Sequence, residues 1–250
     1  MGMPVVFVHG MRVSGSMWRP QVEALRAQGR RVVAVDLPGH GVRRGDRFTV
    51  EGATAAVAEA VDGVGGRAVV VGLSLGGFVG IATAARYPER VAGLVAVSCT
   101  AQPVNLLARM YRFPVQVFDR LPGRGAVAVN ERLFKFMASG EGADVALEGG
   151  FAVEAAQDVI EEVRVLDVVG LLAGYSGPVW LINGARDHFR IHEKRFLAAC
   201  EDGRLLVVPR AGHMVSLDRP EEFTTLVADA VDVVSARGGG VESRRVSPPS

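Results

Sequence analysis

The chain has 250 residues, a formal net charge of +1 and 49% hydrophobic residues. A near-neutral balance with no basic stripe argues against nucleic acid or an anionic membrane surface as a partner. No apolar run approaches the roughly 18 residues of a bilayer span, and the first residues carry neither the charged leader nor the cleavage site of a secretory signal.

Two cysteines, Cys99 and Cys200, make no disulfide framework, and no Cys/His spacing points to a metal site. These features predict a cytoplasmic protein that handles a small molecule. Its oligomeric state is not legible in the sequence.

Taken in chain order, the first element is Pro4–Val8, an apolar, valine-rich run. It leads into V-H-G-M-R and S-G-S-M-W, and helical periodicity spans Met17–Gln28. A second strand, Arg31–Val35, precedes A-V-D-L-P-G-H-G, and Thr49–Val61 reads as the next helix. Ala68–Gly72 is the third strand, Leu75–Tyr87 the helix directly behind it, and Val91–Ser98 the fourth strand. Runs that are apolar throughout fit parallel strands covered on both faces.

The rhythm then breaks. Residues 101–177 contain no strand pattern, only helical stretches rich in Phe, Met and Arg. Connections in a compact domain are usually about 2–6 residues, so this interval is expected to be a helical cap inserted after the fourth strand. Strands at Pro178–Asn183 and Arg204–Val208, with helices at His192–Cys200 and Pro220–Ser235, restore the alternation. The expected fold is α/β: a mostly parallel sheet of about six strands, flanked by helices and wound by right-handed crossovers. Its core comprises residues 1–100 and 178–236. Residues 237–250 lack apolar periodicity and are expected to form a disordered tail.

One junction carries chemistry. In G-L-S-L-G-G, Ser74 stands between a buried strand and a helix, where serine is either an N-cap or the nucleophile of a strand–turn–helix elbow. Gly72 and Gly76 would avoid side-chain clashes across so tight a turn, and Gly77 would let the helix approach the sheet. An N-cap alone needs none of these. The hydroxyl would then face the carboxyl edge of the sheet, where α/β folds bind ligands, with a helix N-terminus behind it.

A serine nucleophile needs a base. Of five histidines, His9 and His40 sit in loop motifs, His192 opens a helix, and His188 adjoins Asp187 too closely in sequence to face it well. His213, in P-R-A-G-H-M after the last strand, is the expected base; the competing reading is a structural loop histidine. Asp187, in N-G-A-R-D after the fifth strand, is the expected acid, against a simple turn aspartate. The backbone N–H groups of Leu75 and Met11 are the expected oxyanion donors.

Together these features resemble the α/β-hydrolase superfamily over nearly the whole chain. The matching stretches are V-F-V-H-G with a downstream S-G-S-M-W, A-V-D-L-P-G-H-G, G-L-S-L-G-G, Y-P-E-R-V, N-G-A-R-D and A-G-H-M-V-S-L-D-R-P-E-E-F. The resemblance implies a Ser74–Asp187–His213 triad, a helical cap after the strand ending near Ser98, and no cofactor. Two departures stand out. The first strand matches the family's third, so its two N-terminal strands have no counterpart here. The acid loop, usually G-x-x-D, reads G-A-R-D-H.

Serine at the elbow argues against haloalkane dehalogenases and epoxide hydrolases, which carry aspartate there. The expected reaction is cleavage of an ester, lactone or thioester of a small, largely apolar molecule. Met11, Trp18, Phe189 and Met214 flank the motifs as candidate pocket residues, joined by Met110, Phe113, Phe134, Phe136 and Met137 of the cap. For both groups, packed core is the competing assignment. Arg12 is a candidate for recognising a substrate carboxylate, or simply a surface arginine. The alternatives are a C–C hydrolase, enol-lactonase, lyase or cofactor-free oxygenase on the same scaffold, or a ligand sensor.

Overall fold

Short valine-rich segments set the architecture. In the computed structural model, which describes residues 2–103 and 142–242, six strands form one wholly parallel sheet. They are β1 (Val5–Val8), β2 (Val32–Val35), β3 (Ala68–Leu73), β4 (Val91–Val97), β5 (Pro178–Gly184) and β6 (Asp202–Val208), in spatial order β2-β1-β3-β4-β5-β6. The four central strands are buried at every position, as uniformly apolar runs require. The edge strands β2 and β6 are only partly buried.

Alternation along each strand divides the interior in two. Val5, Phe7, Val69 and Val71 point to one face. There they meet Leu25 of α1 (Arg19–Ala27) and Val227, Val231 and Val234 of α9 (Pro220–Glu242). Val6, Val8 and Val70 point to the other. They meet Val57 and Val61 of α2 (Val50–Gly63), Val79 and Ile81 of α3 (Leu75–Arg86), and Phe196 of α7 (Glu193–Ala199). Local signals fix the helix starts: Thr49 caps α2 by accepting the Gly52 N–H, and a proline sits in the first turn of α1.

The sheet grows outward from β1 to β2 and then reverses across β1 to β3. Loops after β1 and β3 therefore open a crevice at the carboxyl edge, the usual ligand position in such sheets.

The described part of the expected cap contains α4 (Gly142–Leu147), α5 (Ala156–Val163) and α6 (Val168–Ala173), and no strand. Met110, Phe113, Phe134, Phe136 and Met137 lie outside the described residues. Two boundaries differ from expectation. The first helical segment opens as a 3₁₀ turn, Gly15–Trp18, capped by Ser14. The final helix continues past Ser235 to Glu242, into the stretch expected to be disordered. A helix already in progress extends at little cost per residue, and the Arg237 guanidinium pairs with Asp202. Residues 243–250 lie outside the described part.

Candidate active site

Ser74 occupies the left-handed region, at φ 55° and ψ −113°. For a non-glycine residue this costs about 1–2 kcal/mol and persists only where the surroundings enforce it. They do so here. The Ser74 N–H donates to the Val97 carbonyl at 2.8 Å, and its own carbonyl accepts the N–H groups of Gly77 (2.9 Å) and Phe78 (3.1 Å). A Cβ on Gly72 would strike the Gly76 carbonyl, one on Gly76 the carbonyls of Val8 and His9, and one on Gly77 the sulfur of Cys99. Ser74 is the N-cap by position, yet its hydroxyl makes no capping bond.

The loop after β1 passes beside it: a Cβ on Gly10 would lie 3.8 Å from that of Ser74. His9 anchors this loop from a fully buried site. Its Nδ1–H donates to the Gly10 carbonyl at 2.7 Å, and its Nε2 accepts the Leu37 N–H at 3.0 Å. Those two partners require the neutral ring. Burial, and next the adjacent His40, push its pKa down to about 3. Met11 rests on Ala156 and Ile160 of α5. Arg12, at φ 74°, accepts the Ala152 N–H at 2.8 Å and lays its guanidinium over Phe151. Leu75 is the first residue of α3, so its N–H belongs to the group without an intrahelical acceptor.

Asp187 and His213 come from loops after β5 and β6. Main-chain bonds join the two: Ala185 N–H to the Val208 carbonyl and Arg186 N–H to that of Ala211, each at 2.9 Å. A Cβ on Gly184 would collide with the carbonyls of Ala211 and Gly212, so the loops meet only because that residue is glycine. His213 Nδ1–H donates to Asp187 Oδ1 at 3.0 Å, and the Phe189 N–H donates to the same oxygen at 2.9 Å. Burial of the carboxyl opposes ionisation, but the bonds from His213 and Phe189 outweigh it and hold Asp187 below the usual carboxylate range.

His188 also lies near, with Nδ1 3.8 Å from Asp187 Oδ1, too far for a hydrogen bond. Its ring is 5.3 Å from that of His213, and the Phe189 ring lies 4.8 Å from His213. Burial first, then His213, lower the His188 pKa. Of the two histidines beside the acid, His213 makes the closer approach to Oδ1, at 3.0 Å against 3.8 Å.

The α/β hydrolase family model matches residues 5–226. The chain belongs to the α/β hydrolase family. It is 30% identical over 247 residues to a pimeloyl-[acyl-carrier protein] methyl ester esterase from Nitrosomonas europaea, covering 90% of this chain and 94% of that protein. Among solved structures, a thermophilic esterase from Thermogutta terrifontis superposes with a TM-score of 0.77 at 25% identity, over 94% of this chain and 91% of that one. The enol-lactonase from Burkholderia xenovorans LB400 shares the fold, with a TM-score of 0.76 at 22% identity and coverage of 93% and 92%. The protein is accordingly an enzyme of hydrolase type.

Within this α/β hydrolase, two of the residues expected in the pocket are buried in a core cluster. Trp18 has no exposed surface; it is stacked 4.7 Å from Phe7 and 5.8 Å from Phe223, because its 3₁₀ turn presses it onto the sheet. Met214 is 7% exposed and joins the same cluster beside Val215. Phe189 is half-buried against the His213 ring, and Met11 is half-buried on α5.

Among the described residues, no group of three or more His, Cys, Asp or Glu side chains is arranged to hold a metal ion, and no helix is long and apolar enough to cross a membrane. One residue at the hydrolase's sheet edge escaped the sequence reading. Ser98 directly follows β4 at φ 52°, fully buried. Its only signal is a polar residue closing an apolar run.

Proposed function

We propose that the protein is a serine hydrolase that cleaves an ester, lactone or thioester of a small, largely apolar molecule through an acyl-enzyme. Ser74 Oγ attacks the acyl carbon while His213 Nε2 takes its proton. Asp187 holds the imidazole with its proton on Nδ1 and stabilises the imidazolium. The N–H groups of Met11 and Leu75 receive the developing oxyanion. Collapse of the tetrahedral intermediate expels the alcohol or thiol, which carries away the proton from His213. Water, activated by the same base, then releases the acid and restores Ser74. The cycle calls for no cofactor.

The observation that carries this reading is the 3.0 Å bond between His213 Nδ1 and a buried Asp187, at the sheet edge where Ser74 is held at φ 55° with its hydroxyl unused in capping. The similarity to a methyl ester esterase supports an ester as the bond cleaved.

A fluorophosphonate probe tests it, because such a probe reacts with a serine activated beside its oxyanion donors. Mass mapping should find one adduct, on Ser74, suppressed in His213→Ala and weakened in Asp187→Asn. Labelling without turnover of any ester would favour C–C cleavage, a lyase or a sensor on the same residues. Folded protein that resists probes of several sizes would sink the proposal.

A further inference from the structure

The carboxylate of Asp187 has two oxygens, and only one is accounted for. Oδ1 accepts two hydrogen bonds, from His213 and from the Phe189 N–H. Oδ2 is buried with no partner at ordinary hydrogen-bond geometry. A buried carboxylate oxygen without a donor is costly, and native folds seldom leave one. Among the described residues, the Ser98 hydroxyl is another buried side-chain group in this condition. The first is an acceptor lacking a donor. The second is a donor lacking an acceptor.

The two belong to neighbouring strand ends. The Ser98 N–H donates to the Ile182 carbonyl at 2.9 Å, prolonging the β4–β5 ladder towards the turn that carries Asp187. The next turn of chain is fastened to the acid loop as well. The Thr100 hydroxyl accepts the Asn183 amide at 2.9 Å and donates to the Phe189 carbonyl at 3.2 Å, and the Thr100 carbonyl accepts the His192 N–H at 2.9 Å. Ser98 is thus held between attachments that bracket Asp187 on both sides. Its φ of 52° is a strained value for serine, and strain of this kind gathers where a side chain must be aimed.

We infer that Ser98 is a positioning residue whose hydroxyl donates to Asp187 Oδ2, fixing the carboxylate plane so that Oδ1 meets His213; this rests on the triad reading given above. In this role Ser98 acts directly on neither substrate nor base. It acts through the acid. The hydroxyl is also among the groups that, against the opposing effect of burial and after His213 and Phe189, draw the Asp187 carboxyl downward. Without that donor the carboxylate is freer to turn, and more of its charge faces His213. Proton transfer is then poorly aligned, and the imidazolium forms more readily.

Ser98→Ala and Ser98→Gly test this together. Both remove the hydroxyl, but glycine also relieves the positive φ, so a purely structural role predicts that glycine rescues. The readouts are kcat, KM and the pH profile on an activated ester, the melting temperature, and the NMR resonance of the His213 Nδ1–H in the resting protein. Both variants should lose about tenfold in kcat with KM nearly unchanged, the scale seen when a bond behind a reacting group is removed. The acid limb should move to higher pH, and the resonance should shift in both. A wild-type pH limb and resonance in either folded variant overturns the inference, as does recovery of kcat by glycine alone. Ser74→Ala separates the two readings: if it retains turnover, the serine-hydrolase proposal falls, and the resonance alone decides whether Ser98 holds Asp187.

Discussion

At the scale of single residues, conformation distinguishes Ser74 from an ordinary cap. Replacing it with alanine removes a hydroxyl that makes no capping bond, so stability should change by less than about 1 kcal/mol, while turnover of an activated ester should fall by several orders of magnitude. A folded Ser74→Ala protein with wild-type kcat would remove Ser74 from the mechanism. His213→Ala should cost far more activity than His188→Ala, because His213 lies 3.0 Å from the buried acid and His188 3.8 Å. The reverse ranking in kcat would reassign the base.

Much of this was legible because the elbow needs glycine at set offsets and because each member of the proposed triad follows its own strand. Trp18, Met214 and Ser98 were not. An apolar residue beside a motif does not say whether it faces a pocket or the core, and a strand-ending serine becomes informative only once the neighbouring carboxylate is known to be buried.

Elements were readable for a different reason. Uniform β-branched runs and 3.6-residue periodicity place every strand and most helices within a residue or two, since neither pattern suits the other structure. Helix ends are weaker signals, and the continuation of α9 past Ser235 shows why: propagation is cheap even where the sequence offers little to bury. The same helix supplies a sharp test. A Cβ on Gly93 of β4 would come 2.7 Å from Val234 Cγ2, so α9 lies close to the sheet only because position 93 is glycine. Gly93→Ala should destabilise the protein by about 1–3 kcal/mol, seen as a lower urea midpoint at unchanged slope. Val234→Ala should restore part of that loss. Deletion from Gly238 onward spares Val231 and Val234 and should leave the melting temperature within a few degrees. A large fall would show that the last turn of α9 docks on the domain.

For the whole molecule, acid sensitivity follows from two buried histidines. His9 has its pKa lowered from 6.5 to about 3 by burial and then by His40, and His40 is lowered chiefly by burial. Both are neutral in the fold and would be protonated in the unfolded chain below the ordinary histidine value. The unfolded state therefore binds more protons in that window, and stability falls as pH falls. The contribution is complete above about pH 6.5 and is lost progressively towards the folded values, at up to about 1.4 kcal/mol per pH unit for each histidine. The lowered Asp187 adds a similar loss in a more acidic range. Urea unfolding between pH 7 and 4 should show this slope, and His9→Asn should flatten it. A pH-independent midpoint over that range would contradict the buried neutral pair.

The β4–β5 ladder has a further consequence for proton transfer. The proposed nucleophile stands on the β3 side of that seam, and the acid–base pair stands beyond it. They share a frame through four paired positions, Leu94 with Val179 to Val97 with Ile182. One step along a strand is about 3.3 Å, longer than the hydrogen bond a serine must offer its base. The pairing register of β4 and β5 is thus the ruler against which the proposed reaction is measured. A slip of a single notch would move Asp187 and His213 relative to Ser74 by about that distance without changing one residue of the proposed site.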